Sequence, residues 1–312
     1  LGRRFGNECE ISVAQSGADA LELIDELLRR ADLAMYQAKA DGRNAFRFFD
    51  PDMQRLLSER LSLEEDLKQA LAQRQFHIYL QPQIAADGRV VGAEALLRWQ
   101  HPTMGMIAPG TFIATAERTG AILEIGKWVL EQCCGLLRKW SEHPQARHLK
   151  LAINVSARQF KQRDCGQIVK EVLQRTGADG TLLELELTES LAIDNIDDTV
   201  VKMKALREMG VGLSLDDFGT GHSSLAYLKR LPLTQLKIDQ SFVRDITTDA
   251  NDAVLVQTII GMAQNLKLEV IAEGVETEEQ RQFLEQNGCR LYQGYLFDRP
   301  MPVTEFERKF IP

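Results

Sequence analysis

Short apolar runs alternate with amphipathic stretches from Gln75 to the end of the chain. The short runs are predicted to be strands and the amphipathic stretches helices, because their apolar residues recur with periods near 2 and near 3.6. The predicted strands cover residues 76–83, 90–99, 149–155, 182–187, 211–215, 235–238, 269–272 and 290–294. The predicted helices cover residues 111–140, 166–175, 197–209, 223–230, 252–266, 277–287 and 304–310.

This alternation predicts an α/β fold, a modified TIM (β/α)8 barrel, because eight strands with intervening helices in about 235 residues are typical of that architecture. The link Ala85-Ala86-Asp87-Gly88-Arg89 between the first two strands is too short for a parallel crossover and predicts a hairpin. We therefore expect the first strand to run antiparallel to the others. A doubly wound open sheet is the alternative architecture.

The chain before the barrel contains two further parts. Residues 1–49 predict a short α/β piece, with a helix over 18–40 between strands at 10–14 and 46–49. Fewer than about 50 residues bury little core, so this piece needs a partner or a missing remainder. Residues 50–72 are predicted to form an amphipathic linker helix. Either a capping box at Ser62 starts a second helix there, or one helix continues through Ser62. Residues 73–312 form the predicted barrel domain.

Within each predicted strand, apolar side chains alternate with small or polar ones, so the two sets point to opposite sides of the strand. The apolar set, which includes Leu151, Leu187, Leu213 and Leu236, is expected to face the helices. The other set points into the barrel and becomes more charged toward the carboxyl ends of the strands. A polar barrel mouth is costly unless a ligand or a metal satisfies it, so the alternation predicts a binding site there.

Composition narrows the possible partners. The chain has 312 residues, 44% apolar and 26% charged, with a net charge of −8, which disfavours binding to a nucleic acid polymer. No run approaches the ~18 apolar residues of a membrane span. The five cysteines are irregularly spaced, so a disulfide framework is not indicated and a reducing, cytoplasmic compartment is expected. Segments upstream of Leu1 could still anchor a longer protein to a membrane.

The predicted mouth collects oxygen ligands from separate strands. Its members are Glu94, Asn154, Glu186, Asp216, Asp217, Lys237 and Glu273. Carboxylate and amide oxygens favour Mg²⁺ or Mn²⁺, and so many carboxylates would repel one another without cations between them. Two ions are expected, because a single one leaves excess negative charge. Two-metal sites of this kind are typical of phosphodiester hydrolysis.

A series of short motifs adds a family resemblance. They are Tyr79-Leu80-Gln81-Pro82-Gln83, Glu94-Ala95-Leu96, Ile153-Asn154-Val155-Ser156, Glu186-Leu187-Thr188-Glu189, Asp216-Asp217-Phe218-Gly219-Thr220-Gly221, Leu236-Lys237-Ile238-Asp239, Ala272-Glu273-Gly274-Val275-Glu276 and Gln293-Gly294-Tyr295. In this order they resemble the EAL-domain cyclic-di-GMP phosphodiesterases over nearly all of residues 62–312. The resemblance implies metal-dependent hydrolysis of cyclic di-GMP to linear pGpG, which lowers the level of a bacterial second messenger.

The resemblance also implies roles for individual residues. Glu94, Asn154, Glu186 and Asp216 would bind one metal, and Asp216 with Asp217 the second. Glu94, Lys237 and Glu273 would be catalytic, with Lys237 at the nucleophilic water and Glu273 as the general base. Gln81, Arg98, Asp239 and Gln293 would contact the substrate, with Phe297 and Arg299 as further guanine-contact candidates. Glu189 would tether the loop Phe218–Ser224, through which a homodimer is expected. His222 in that loop is predicted to have no metal role.

A second resemblance concerns the N-terminal piece, where residues 30–44 resemble the closing segment of a GGDEF domain. The Gly-Gly-Asp-Glu-Phe signature is absent, so no cyclase activity is implied. For the barrel, two other functions remain open. One is a non-catalytic cyclic-di-GMP receptor, and the other is an unrelated metal-dependent barrel hydrolase.

Overall fold

The computed structural model of the chain describes residues 16–40, 46–189, 191, 195–219 and 225–311. The chain divides into two compact units between Asp66 and Leu67. The strand predicted at residues 10–14 lies outside the described residues, as does most of the loop Phe218–Ser224, including His222. No described helix is long and apolar enough to cross a membrane.

The N-terminal unit contains the predicted helix α1 (Gly17–Ala40) and most of α2 (Pro51–Ala70). The strand predicted at residues 46–49 is wrong: these residues are irregular, and an isolated segment has no ladder to stabilise it. Helix α2 is continuous through Ser62, so the predicted capping box does not begin a new helix. The Ser62 hydroxyl instead donates to Asp66 Oδ2 at 3.3 Å within the helix.

The second unit is built on a closed eight-stranded barrel. Its strands are β1 (Phe76–Ala85), β2 (Val90–His101), β4 (Lys150–Asn154), β5 (Leu183–Thr188), β6 (Gly212–Phe218), β7 (Gln235–Ile238), β8 (Glu269–Ala272) and β9 (Leu291–Tyr292). Two short rim strands, β3 (Gly105–Ile107) on β2 and β10 (Met301–Pro302) on β1, are too short to show a period in the sequence.

The direction of β1 confirms the hairpin prediction. Strand β1 pairs antiparallel with both β2 and β9, while the pairs from β2–β4 round to β8–β9 are parallel. Because β1 closes the ring between β2 and β9, the doubly wound open sheet is wrong. The last predicted strand is shorter than expected: only Leu291 and Tyr292 pair, and the chain then turns along the barrel mouth.

Helices surround the barrel. They are α3 (Pro109–Thr119), α4 (Ala121–Trp140), α5 (Ala157–Lys161), α6 (Cys165–Thr176), α7 (Ile196–Glu208), α8 (Leu225–Leu228), α9 (Gln240–Arg244), α10 (Ala250–Asn265), α11 (Glu278–Gln286) and α12 (Val303–Phe310), with a 3-10 turn at Gly180–Leu182. The single helix predicted over 111–140 is two helices, because Gly120 adopts φ 90° and ends α3.

The main core lies between the barrel and the helices. Leu151, Leu187, Leu213 and Leu236 are fully buried there, as the side-chain alternation predicts. The inward face carries Ser214, Gln235, Glu186 and Lys237, all buried. The strand ends therefore hold polar groups inside a tightly packed outer layer, which fixes their positions.

Candidate active site

The candidate site lies at the carboxyl ends of the parallel strands. Glu94 lies on β2, Asn154 ends β4, Glu186 lies on β5, Asp216 on β6 and Lys237 on β7, and Glu273 directly follows β8. The register aligns Asn154 with Glu186 and Thr188 with Asp216. Neighbouring strands thus deliver these side chains to one end of the barrel, although they are distant in the sequence.

Lys237 is the common partner of the carboxylates. Its Nζ lies 2.6 Å from Glu186 Oε2 and 2.6 Å from Glu273 Oε1. Asp216 Oδ1 is 3.4 Å away and Glu94 Oε2 3.8 Å. The Lys237 side chain is 1% exposed and that of Glu186 is 0% exposed, so water screens their attraction little. The structure therefore brings the lysine together with four of the five carboxylates that the sequence predicted at the mouth.

Glu94 is oriented by two side-chain amides. Asn154 Nδ2 donates to Glu94 Oε1 at 2.6 Å, and Gln293 Nε2 donates to Glu94 Oε2 at 2.5 Å. Gln293 Nε2 also donates to Gln81 Oε1 at 3.1 Å, and Gln83 Nε2 donates to Gln293 Oε1 at 3.3 Å. Buried side-chain amides on β1 and directly after β9 thus form one hydrogen-bonded network that orients the Glu94 carboxylate.

The cluster separates the pKa values of its carboxyls. Burial raises the pKa of Glu186 well above its usual range, against the attraction of Lys237. Burial also raises the pKa of Glu273 to about 8; Lys237 opposes this shift, and Asp216 and Glu94 add to it. For Glu94, Lys237 and the amide hydrogen bonds outweigh burial and hold its pKa below the usual value.

The Lys237 ammonium remains charged at this site. Burial acts against its charged form, but the carboxylates around it, Glu186 foremost, raise the pKa of Lys237 well above its usual value. The site therefore combines a permanent cation, an ionised carboxylate and a carboxyl that titrates near neutral pH. Such a separation of pKa values is typical of acid and base chemistry.

The backbone at Asp217 separates the two adjacent carboxylates. Asp217 has φ 55°, in the left-handed region, and its N–H donates to Asp216 Oδ1 at 3.0 Å. The β6–β7 register shifts between Leu215 and Phe218, which is a bulge at this point. The Asp216 side chain is 13% exposed and stays beside Lys237, whereas Asp217 is exposed. Partial desolvation and the neighbouring carboxylates of Asp216 and Asp239 raise the pKa of Asp217.

Glu189 contacts the first part of the loop that it is predicted to tether. This buried residue follows β5, and its Oε2 accepts a hydrogen bond from the Gly219 N–H at 3.3 Å. Gly219 is the last residue described before the break at 220–224. The contact therefore fixes the start of the loop, and the remainder of the Phe218–Ser224 prediction stays untested.

Two of the predicted substrate contacts, Arg98 and Asp239, make local contacts, and Asp239 also lies beside Asp217. Arg98 lies near Tyr79, with its guanidinium carbon 5.6 Å from the ring centre, and Arg98 Nη1 donates to the Leu97 carbonyl at 2.9 Å. Asp239 caps α9, where its Oδ1 accepts from the Ser241 N–H at 2.9 Å and from the Ser241 hydroxyl. Both remain predictions as substrate contacts.

The two guanine-contact candidates, Phe297 and Arg299, differ in how far their side chains are already packed against other residues. Phe297 stacks on the fully buried Tyr292, with centroids 6.1 Å apart and planes inclined by 17°. Its ring is therefore partly used in packing. Arg299 is exposed and lies over the ring of Tyr295 at the rim, with 4.2 Å between the guanidinium carbon and the ring centre.

Residues 64–300 match the EAL domain family. The chain belongs to this family. It is 45% identical over 281 residues to the bifunctional diguanylate cyclase/cyclic di-GMP phosphodiesterase MucR of Pseudomonas aeruginosa, covering 90% of this chain and 41% of that protein. It is 40% identical over 303 residues to the cyclic di-GMP phosphodiesterase PdeR of Escherichia coli, covering 96% and 45%.

A solved structure agrees with the EAL fold. The MucR phosphodiesterase in complex with c-di-GMP is 44% identical and has a TM-score of 0.76, over 78% of this chain and 99% of that one. The EAL resemblance drawn from the motif series is thus confirmed, and so is the barrel. The chain spans less than half the length of the two curated relatives above.

EAL phosphodiesterases are metal-dependent in general, and the donor set of this EAL domain fits a hard cation. Glu186 Oε1 is a buried acceptor with no hydrogen-bond partner among the described residues. Among the described residues, no group of three or more Asp, Glu, His or Cys side chains is arranged so that it could hold a metal ion. The Lys237 ammonium is the cation that the carboxylates share, so ion binding requires side-chain adjustment around it.

A cavity at the mouth of the barrel is lined in part by three residues that the sequence did not predict to be site residues. A cavity of about 230 Å³ is lined by Glu94, Asp216, Lys237 and Glu273, and also by Gln240, Glu276 and Tyr295. Gln83, which belongs to the amide network, was also missed, although it lies two positions beyond Gln81 on the same face of β1. Gln240 and Glu276 lie outside the strands, where alternation gives no signal.

Proposed function

We propose that this EAL domain hydrolyses cyclic di-GMP to linear pGpG with two Mg²⁺ or Mn²⁺ ions. The observation that carries the proposal is the meeting of Glu94, Glu186, Asp216 and Glu273 around one buried lysine. Five strands supply this cluster, and it belongs to a family whose named relatives are cyclic di-GMP phosphodiesterases.

The oxygen donors divide into two groups. Glu94, Asn154, Glu186 and Asp216 would hold one ion, and Glu186 Oε1 is a buried acceptor available to it. Asp216 and Asp217 would hold the second, because the left-handed backbone at Asp217 directs the two carboxylates differently. When bound, the two ions would lower the pKa of the attacking water and neutralise the phosphate.

Protein groups would then control the proton and the water. Glu273 has a pKa raised to about 8, so near neutral pH it is mostly protonated, and its ionised form, which would accept the proton from water, grows as pH rises toward that value. Lys237 keeps its charge and lies 2.6 Å from Glu273, which places a donor beside that acceptor. Water adds across one phosphorus–oxygen bond, leaving a 5′-phosphate and a 3′-hydroxyl in the linear product.

Polar residues around the mouth would bind the substrate. Gln81 and Gln293 are buried in one amide network next to Glu94. Arg98 offers a forked guanidinium, which suits a phosphate, and Asp239 offers acceptors for guanine N–H groups. Glu189 would position the loop through Gly219.

A turnover assay tests the proposal. Purified protein is incubated with cyclic di-GMP and Mg²⁺ or Mn²⁺, with and without a chelator, and pGpG is measured. We expect metal-dependent turnover that Glu94→Ala abolishes. Glu142→Gln is the matched control, because Glu142 is 67% exposed and pairs only at the surface with Arg138. Binding of cyclic di-GMP without turnover at any metal concentration would contradict the enzymatic function.

A non-catalytic cyclic-di-GMP receptor is the second candidate. One observation favours it: the Lys237 ammonium lies among the carboxylates and offsets part of their charge without an ion, which favours a pocket that persists metal-free. Calorimetric titration with cyclic di-GMP in chelator measures this binding directly. The receptor is supported if affinity is unchanged by metal and no pGpG forms. The third possibility, an unrelated barrel hydrolase, conflicts with the family match.

The surroundings of the domain complete the proposal. We infer a cytoplasmic, reducing compartment, supported by the buried free thiols of Cys133, Cys134, Cys165 and Cys289. We also infer a homodimer through the Phe218–Ser224 region, with neither a nucleic acid polymer nor a membrane segment as partner. Light scattering tests the dimer, and a strict monomer with full activity contradicts it.

The domain organisation remains part of the same proposal. Residues 1–49 would be the C-terminal remnant of a GGDEF-like domain, 50–72 a linker helix and 73–312 the EAL barrel. Leu21, Ile24, Leu27 and Leu28 on α1 are each more than half exposed, which suits a helix taken from a larger core. Limited proteolysis should first cut within or before residues 50–72 and release an active fragment. An inactive fragment contradicts this division.

A further inference from the structure

The backbone around Asn154 is paired on one side of β4 only. Strand β4 pairs with β5 through Asn154 itself, which lies opposite Glu186, whereas the pairing with β2 ends one residue earlier, at Ile153. The hydrogen bond from Asn154 Nδ2 to Glu94 Oε1 crosses this open side toward β2. The chain that leaves β4 therefore contributes to fixing the direction of the Asn154 side chain.

Helix α5, which begins shortly after Asn154, cannot hold its position alone. It has five residues, far fewer than an isolated helix needs for stability, and the carbonyls of its last turn have no partner within the helix. A capping box between Ser156 and Gln159 closes its first turn. The position of its last turn therefore depends on side chains from other elements.

Lys202 on α7 supplies hydrogen bonds to that last turn. Its Nζ donates to the Phe160 carbonyl at 3.0 Å and to the Lys161 carbonyl at 3.2 Å. The Lys202 side chain is 13% exposed, and its ammonium also pairs with the more exposed Asp198 at 2.9 Å. Loss of this ammonium would remove both donors from a largely buried helix end, and unpaired buried carbonyls are costly.

Helix α5 is thereby bonded to two other helices. Arg158 Nη1 donates to the carbonyls of Glu117 and, at 3.1 Å, Arg118 in the last turn of α3. Lys202 joins α5 to α7, and α7 leads into β6, which carries Asp216. Lys202 thus links the segment after one proposed ligand of the first ion to the helix before another.

We propose that Lys202 is a positioning residue for the first metal ion, because by bonding the end of α5 it holds Asn154 in the direction that binds the ion. The proposal rests on the proposed function, in which Asn154 is a ligand of that ion. Lys202 acts through the backbone of α5 and not by contact with the ion or the substrate. Its effect is therefore expected on metal affinity first.

Turnover of cyclic di-GMP over a range of Mn²⁺ concentrations tests this role. Lys202→Met keeps a long side chain and removes the donors. We expect the Mn²⁺ concentration for half-maximal turnover to rise roughly 3- to 10-fold, less than the loss typical of a residue that contacts a ligand directly. The kcat at saturating Mn²⁺ and the KM for cyclic di-GMP should change little.

Three matched variants separate the carbonyl bonds from other effects. Lys202→Arg should restore the wild-type Mn²⁺ dependence, because a guanidinium can also donate to both carbonyls. Asp198→Asn removes only the ion pair at the surface, and Lys204→Met changes an exposed lysine on the same helix. Both should keep the wild-type dependence.

A double substitution tests whether Lys202 acts through Asn154. In an Asn154→Ala background the ligand is already gone, so Lys202→Met should cause no further rise in the required Mn²⁺ concentration. If the two effects multiply as independent ones do, Lys202 acts elsewhere and the proposal is wrong.

Binding of Mn²⁺ in the absence of substrate gives a readout that does not depend on turnover. The signal of free Mn²⁺ in electron paramagnetic resonance is followed as protein is added. Weaker binding by Lys202→Met, with wild-type binding by Lys202→Arg and Asp198→Asn, supports the proposal. Equal Mn²⁺ affinities for Lys202→Met and the wild type overturn it, even if the variant is less stable.

Two further outcomes have a defined meaning. If Lys202→Met does not fold, Lys202→Gln, which shortens the side chain and keeps a neutral donor, gives the same comparison. If the wild type binds Mn²⁺ but forms no pGpG, the proposed function is contradicted, while the comparison of Mn²⁺ affinities still decides the role of Lys202. The two failures are therefore distinguishable.

Discussion

Lys237 Nζ and Glu186 Oε2 lie 2.6 Å apart, with side chains that are 1% and 0% exposed. Two opposite charges buried at this distance stabilise each other only as a pair, because each alone would be a desolvated ion. The other three carboxylates of the cluster also lie around the same Lys237 ammonium. The ammonium is therefore part of the site and offsets carboxylate charge within it.

Lys237→Met should make the protein strongly metal-dependent for stability. Breaking a buried ion pair costs about 3–5 kcal/mol of unfolding free energy, and the carboxylates then repel one another. Chemical denaturation in chelator should show this loss, and excess Mg²⁺ should recover part of it. Lys150→Met is the control, because Lys150 is 43% exposed and 3.5 Å from Glu269. Equal losses for both variants in chelator would contradict the expectation.

Asp217 offers a way to separate backbone strain from charge. With φ 55°, a β-branched residue is unfavourable there by roughly 1–2 kcal/mol, whereas asparagine tolerates this conformation. Asp217→Val should therefore lower the unfolding free energy, and Asp217→Asn should not. Both should lower metal-dependent turnover, because both remove a carboxylate from the proposed second metal site. If asparagine destabilises as much as valine, the backbone explanation is wrong.

Gly294→Ala should damage the mouth without touching the carboxylates. The added Cβ would lie 2.1 Å from the Val275 carbonyl oxygen and 2.3 Å from its nitrogen, and backbone cannot yield as a flexible side chain can. We expect a loss of about 1–3 kcal/mol in unfolding free energy together with reduced turnover, since Gln293 is the adjacent residue. Gly135→Ala is the control, because its Cβ meets nothing within 4 Å. Comparable losses from the two variants in thermal unfolding would disprove the steric reason.

Glu307 should contribute stability that is lost in acid. Its Oε1 accepts from Lys139 Nζ at 2.6 Å and from Trp140 Nε1 at 3.0 Å. Burial opposes ionisation, but these bonds outweigh it and lower the pKa of Glu307 below its usual value. The folded state therefore binds this proton less readily than the unfolded state.

The pH dependence of stability follows from the lowered pKa of Glu307. The stability advantage of the wild type over Glu307→Gln should be full above the unfolded pKa of about 4.3 and decline as pH falls through the lower folded pKa. Urea unfolding at several pH values measures it. Glu305→Gln, at an exposed position on the same helix, should show no such trend. An advantage that persists in strong acid would refute the assignment.

The barrel was predictable because its strands keep a strict alternation. Glu186 and Lys237 each lie between apolar residues, so their inward direction could be inferred from parity alone. The break at Gly120 was missed, because apolar periodicity continues across it while the backbone reverses to φ 90°. Gln240, Glu276 and Tyr295 were missed for another reason: they lie outside the strands, where the direction of a side chain depends on the turn.

The number of residues in β6 before the left-handed Asp217 decides which side chains reach the site. A deletion of one residue between Gly212 and Leu215 would turn every following side chain to the opposite face. Asp216 would then face the helices, and a leucine would enter the mouth. Substitutions on the outer face would cost only packing. The site therefore depends on the number of residues in β6 as well as on their identity.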